Sequence, residues 1–213
     1  MRADAFKIVT DEAWHAQFSF DLISEVAAAT GVAHEPAGAP AFAGRLDAIR
    51  RRLPPDVRGA EALLFAVVSE TLISRMLADL PRDSRLPVAV RESIRDHAAD
   101  EGRHHAYFTS LLRVLWPALG RSAQRQIGPW IPEMIYTFLE PDYEAMAASL
   151  RHEGLAPAAI QQVLIESWPR DQVVHEIAEA SRAATRYFAE VGALREPRTR
   201  DAFLLAGLLD PLA

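Results

Sequence analysis

Two short stretches of this sequence carry residues that can do chemistry together. Asp11-Glu12-Ala13-Trp14-His15 and Asp100-Glu101-Gly102-Arg103-His104 both read Asp-Glu-x-x-His. Residues three apart on a helix share a face, so each stretch aims a carboxylate and an imidazole at one place. Two such helices packed together offer two bridging carboxylates and two terminal histidines. Di-iron and di-manganese helical bundles are built this way, with a lone Glu added from each of two further helices. Carboxylate oxygen with imidazole suits iron or manganese. One Glu-x-x-His is weak evidence, since both residues are common on solvated helix faces. Two copies in separate predicted helices, each led by Asp, favour a metal centre.

Three further features point the same way. Glu70 sits among Leu63, Ala66, Val67, Ile73, Ser74 and Leu77 on one predicted helix face. A carboxylate in an apolar stripe needs a cation or a strong hydrogen-bond partner. A metal supplies that, and the alternative is a pair with Arg75 or another arginine. His97 lies four residues before Glu101 and seven before His104, so the three share a face and His97 can be an extra ligand, the alternative being a core histidine or one that supports a ligand. Asp11 and Asp100 can accept the second ring N–H of a metal-bound histidine, the usual way such a ring is oriented, or else are solvated surface residues. His105 is turned about a hundred degrees from His104. His34-Glu35 falls in a loop and His152-Glu153 at a helix end. His175-Glu176 is kept as a possible pocket pair.

The elements that must position these groups read as helices. Alanine, leucine, arginine and glutamate dominate the periodic segments, and hairpin signals are absent. Helices are expected at about 3–30, 42–53, 59–80 and 88–116, the last ended by Pro117. A Pro- and Gly-rich loop covers Val32 to Pro40. Shorter helices follow, broken at Pro129, Pro132, Pro141, Gly154, Pro157, Pro169 and Pro197. The fold class is all-α: a helical bundle holding the metal within about 3–116 and accessory helices over 118–213, in one domain of 213 residues.

Composition narrows the function further. There is no cysteine, which removes disulfides, thiolate metal sites and thiol nucleophiles. A net charge of -6 is a poor match for nucleic acid or an anionic membrane. Arg50-Arg51-Arg52 is the one basic cluster and reads as a solvated helix end. The longest apolar run, Leu63 to Val68, cannot span a bilayer. No secretory signal is seen, so a cytoplasmic location is the expectation. Phosphate loops, nucleophile elbows and dinucleotide fingerprints are absent.

The segments Lys7 to Ala16, Ser69-Glu70-Thr71 and His97 to His104 together resemble the p-aminobenzoate N-oxygenase family of di-iron oxygenases, whose mark is the additional histidine four residues before the last Glu-x-x-His. The resemblance covers roughly residues 5–115. It implies a ferritin-like bundle in which Glu12 and Glu101 bridge two irons per chain, with manganese as the alternative metal. His15 would bind one iron, and Glu70, His97 and His104 the other. It further implies a non-haem di-iron monooxygenase that uses O2 to oxidise a small molecule in natural-product biosynthesis. The amine nitrogen, often of an arylamine, would be taken towards hydroxylamine, nitroso or nitro products. An electron-donating reductase and a homodimer belong to the same picture.

The resemblance also implies a lone Glu on a preceding helix, and Met1 lies eleven residues before Glu12. Three accounts follow. An upstream segment supplies the residue, an account favoured by the lack of a capping residue ahead of the first helix. A partner chain or a later residue such as Glu133, Glu140, Glu144 or Glu176 supplies it. Or the site is altered. The competing functions are a di-iron C–H hydroxylase or desaturase, and a helical binding protein with an incomplete metal site.

Overall fold

The structure is a computed structural model that describes residues 2–32 and 39–210, the side chain of Arg75 excepted. His34, Glu35, most of the expected loop and the proposed Glu70–Arg75 pair lie outside the described residues. Helices α1 (Arg2–Thr30), α2 (Ala41–Arg52), α3 (Arg58–Leu77) and α4 (Val88–Ala118) come first. The remainder are α5 (Arg121–Ile127), α6 (Ile131–Leu139), α7 (Tyr143–His152), α8 (Pro157–Ser167), α9 (Arg170–Glu190) and α10 (Pro197–Leu205). No strand occurs among the described residues, and the chain is all-α as expected.

The expected breaks fall where the later prolines stand, and several of these prolines begin the next helix. Pro157 and Pro197 are the first residues of α8 and α10, Pro132 is the second of α6, and Pro169 caps α9. Each starts a helix, because a proline there forfeits only an N–H that has no partner in the first turn. Pro117 does not end α4 before itself; it lies in the last turn, and Leu119 closes that turn by donating to the carbonyls of Leu115 and Trp116. α3 stops at Leu77, with a short 3-10 turn over Leu80–Arg82.

The contacts sort the chain into two units. The second comprises 39–69 and 112–213. Residues 39–69, expected with the metal-binding helices, belong here because Phe65 of α3 meets Phe42 of α2 and Phe138 of α6, with ring centroids 6.1 and 6.4 Å apart. Leu64, Ile131, Met134, Ile135, Phe188 and Phe203 are fully buried and form a conventional apolar core. Gly128 is required by packing: a Cβ there would lie 2.2 Å from Thr199 Oγ1. Arg50 is not simply solvated, since its Nε donates at 3.0 Å to the fully buried Glu61, a carboxylate the sequence reading passed over. A buried carboxylate needs a cationic partner, and α2 supplies it.

The first unit takes the described residues of 1–38 together with 70–111, which hold α1, the last two turns of α3 and most of α4. Its interior is of another kind. Among its described residues Leu72 is the one buried apolar side chain, whereas His15, Thr71, Glu101, His104 and Thr109 are all buried. A unit whose centre is imidazole and carboxylate cannot be held by hydrophobic burial alone.

Candidate metal centre

All six sequence-predicted ligands fall in the first unit. Glu12 and His15 come from α1, Glu70 from α3, and His97, Glu101 and His104 from α4. The α-helical repeat explains each placement. The three-residue step sets Glu12 beside His15 and Glu101 beside His104, and the four-residue step stacks His97 one turn from Glu101. Ser74 ties α3 to α4 by donating to the Glu101 carbonyl at 3.2 Å.

His104 is fully buried, and its Nδ1 lies 3.0 Å from Glu12 Oε1 and 3.5 Å from both Glu70 Oε2 and Glu101 Oε2. His15 Nδ1 lies 3.5 Å from Glu101 Oε1 and 3.6 Å from Glu12 Oε1. Each bridging candidate therefore faces both histidines. The two oxygens of Glu101 divide between them, and Glu12 Oε1 stands near both. Four of these atoms are buried without any hydrogen-bond partner: His15 Nδ1, His104 Nδ1, Glu70 Oε2 and Glu101 Oε2. Buried polar atoms are rarely left so. A divalent ion with ligand distances of about 2.0–2.2 Å needs neighbouring donors roughly 3.0–3.5 Å apart, which is the spacing observed. The residues fit a metal.

The far side of each ring is crossed between the helices. His15 of α1 donates from Nε2 to Asp100 of α4 at 3.2 Å, and His104 of α4 donates from Nε2 to Asp11 of α1 at 3.2 Å. Arg103 joins the pair, bonding Asp100 and, at 3.5 Å, Asp11. Burial by itself would raise the Asp100 carboxyl, but the bonds from His15 and Arg103 outweigh it and hold the group below its ordinary range. An ionised Asp only accepts, so it fixes Nε2 as the protonated nitrogen and leaves Nδ1 with a free lone pair. Glu70 is the opposite case. Its burial, added to the charges of Glu101 and Glu12, pushes it up to about 7 against the pull of His104.

One expectation needs correction. The apolar stripe drawn around Glu70 is rotated: Leu63 is 45% exposed, while Leu64, Val67, Val68, Thr71 and Leu72 are buried. Glu70 therefore stands at the edge of the buried face. His97 groups with His15 and Glu101, whereas Glu70 and His104 group with Glu12 and Glu101. None of Glu133, Glu140, Glu144 and Glu176 enters either group among the described residues. Glu133 and Glu140 are held by Arg45, Glu140 also by Arg170, and Glu176 accepts from Gln172 on an exposed face of α9 that also carries His175. His105 joins neither group.

A cavity of about 390 Å³ lies beside the outer side of His104 and Asp11, lined also by Ile8, Arg103 and Tyr107. No described helix is long and apolar enough to cross a membrane.

No curated protein and no solved structure matches the chain. A family model does: P-aminobenzoate N-oxygenase AurF, over residues 2–192. That span includes both Asp-Glu-x-x-His stretches, Glu70 and His97, and it reaches well beyond the roughly 5–115 on which the motifs stand. The chain belongs to the p-aminobenzoate N-oxygenase family, whose members share a ferritin-like helical di-iron fold.

Proposed function

We propose that the chain is a non-haem di-iron monooxygenase that uses O2 to oxidise the amine nitrogen of a small molecule, an arylamine being the first choice. The observation that carries the proposal is the convergence of four unpartnered buried atoms, His15 Nδ1, His104 Nδ1, Glu70 Oε2 and Glu101 Oε2, in one unit with almost no apolar core. Glu12, His15, Glu70, His97, Glu101 and His104 are the ligands. Two irons are expected per chain, and manganese is the second choice for the same donors.

When bound, the metal pair supplies the means of reducing O2 with electrons from a separate donor. One oxygen atom goes to the substrate nitrogen, and the other leaves as water with two electrons and two protons. The chain's own residues do the rest. Asp100 and Asp11 keep the Nε2 protons of His15 and His104 in place, so that both Nδ1 atoms face inward. Arg103 bonds both aspartates and helps hold the Asp100 carboxyl below its ordinary range. Burial of His15, Glu101 and His104 keeps water from these three donors, while Glu12 reaches the surface. The cavity beside His104 is of a size for a small ligand, and Tyr107 offers an aromatic wall.

A homodimer is part of the proposal. Phe6, Val9, Ala13, Ala16, Phe20 and Ile23 recur at alternating steps of three and four along α1 and are all exposed. Phe6, Val9 and Phe20 are between 63% and 69% exposed. That alternation is the spacing by which two helices pair, so the partner proposed is α1 of a second copy.

The test is product analysis. Iron-loaded protein supplied with O2, a chemical or enzymatic reductant and a panel of arylamines should yield hydroxylamine, nitroso or nitro products. Oxidation at carbon alone, in a panel extended to fatty and amino acids, would replace N-oxygenation with hydroxylation or desaturation.

A further inference from the structure

Acids outnumber bases in this chain by 29 to 23, so a base left without an acid is not explained by a shortage of partners. Arg45, Arg50, Arg51, Arg95, Arg103 and Arg182 each pair with a carboxylate. Arg121, Arg125 and Arg195 do not. Among the described residues none of these three has a hydrogen bond, an ion pair or a ring contact. All three line one cavity of about 500 Å³ within the second unit, and Pro117, Val191 and Pro197 give it an apolar wall.

The local structure holds the three together. Arg121 and Arg125 stand four apart on α5 and share a face. Gln124 ties that helix to the end of α4, donating from Nε2 to the Trp116 carbonyl at 2.7 Å. Arg195 comes from the turn that follows α9. Gly192 opens the turn with a φ of 84° and leaves room for Arg195 to lie across it: a Cβ there would stand 3.5 Å from both Cδ and Nε of Arg195. Glu196 is the one acid lining the cavity, and its Oε2 is taken by the Thr199 N–H at 2.9 Å, which caps α10. Like charges four apart on a helix repel, and a third cation adds to the cost. A bound anion reverses it. We propose that this cavity binds a small organic phosphate, with the phosphate group among Arg121, Arg125 and Arg195 and the apolar part against Pro117, Val191 and Pro197. Guanidinium forks match phosphate oxygens, and a phosphate monoester carries the more than single negative charge that three cations call for. The volume falls in the range of small-molecule sites, roughly 300–1,000 Å³, and leaves space beyond the phosphate group. The proposal stands whether or not the di-metal proposal holds.

The experiment is calorimetric titration of the full chain with phenyl phosphate, inorganic phosphate and phenol, in both the metal-free and the iron-loaded form. One phenyl phosphate should bind per chain in both forms, which separates this cavity from phosphate taken up by iron. It should bind more tightly than inorganic phosphate, and phenol should not bind. Arg121→Ala, Arg125→Ala and Arg195→Ala should each weaken binding about tenfold or more. Arg195→Lys, which keeps the charge and loses the fork, should fall between. Arg151→Ala removes an arginine that likewise has no partner among the described residues but lines another cavity, and should change nothing. A reading without variants guards against a folding defect: phenyl phosphate should shield Arg121, Arg125 and Arg195 of the wild type from phenylglyoxal, mapped by mass spectrometry, and leave Arg151 open. Binding confined to the iron-loaded form, equal affinity for inorganic and phenyl phosphate, or equal weakening by Arg151→Ala overturns the proposal. So does the absence of saturable phosphate binding, including the case in which an acidic protein binds through the same arginines.

Discussion

At the scale of the residue, Glu70 is the group whose titration reports on the centre. Burial and two neighbouring carboxylates raise it to about 7, against an ordinary value of 4.5. The folded metal-free chain therefore keeps this proton over a range in which the unfolded chain has lost it. Its favourable contribution is complete below the unfolded value and is lost as the pH rises through about 7. Metal-free wild type should lose more thermal stability between pH 5.5 and pH 7.5 than Glu70→Gln, which carries no charge at either. Parallel melting curves for the two would show that Glu70 is not so perturbed. Binding of an ion must displace this proton, so the gain in melting temperature on adding metal should be greater at pH 7.5 than at pH 5.5. Most of the donor set was legible in the sequence, because a three-residue step on a helix has one meaning. The ring that His97 lies against, that of His15, was not. A turn of α4 sets it beside Glu101, but Glu101 faces both histidines, and only the placement of α1 decides which ring His97 meets.

At the scale of the element, α1 is unusual. Of its 29 residues, His15 is the one buried. Its ties to α4 are polar: His15 to Asp100, His104 to Asp11, and Arg103 to Asp11. A helix so poor in apolar burial depends on the centre it helps to build. Amide hydrogen exchange in α1 should be fast in the metal-free chain and slow markedly on metal binding, while α9, with Val173, Ile177, Ala184 and Phe188 buried, should change little. Equal protection of α1 in both forms would mean that it is held by other means. The helices themselves were plain from composition and breakers. The roles of the prolines were harder to read, since a proline at the start of a helix and one at the end of another are the same letter beside a similar periodicity. The phase of α3 was missed for a related reason. Leu63 and Leu64 are equally apolar, and only packing against other helices chooses between faces.

At the scale of the whole molecule, the division into two units was not legible. It depends on Phe42, Phe65 and Phe138, which are distant in sequence and meet only in the fold. The exposed stripe of α1 was likewise hidden, because an apolar alternation of three and four reads the same whether it packs inside a chain or between two. Light scattering coupled to size exclusion should give a dimer, and Phe6→Glu with Phe20→Glu should yield a monomer with its iron content unchanged. A wild-type monomer would remove the dimer from the proposal. The central claim is the di-metal centre, and iron content tests it most directly. Protein from iron-fed cells, or metal-free protein reconstituted with Fe(II) under anaerobic conditions, should carry two irons per chain, and His104→Ala should lose metal while remaining helical. Wild-type protein without iron, and with no gain on reconstitution, would contradict it.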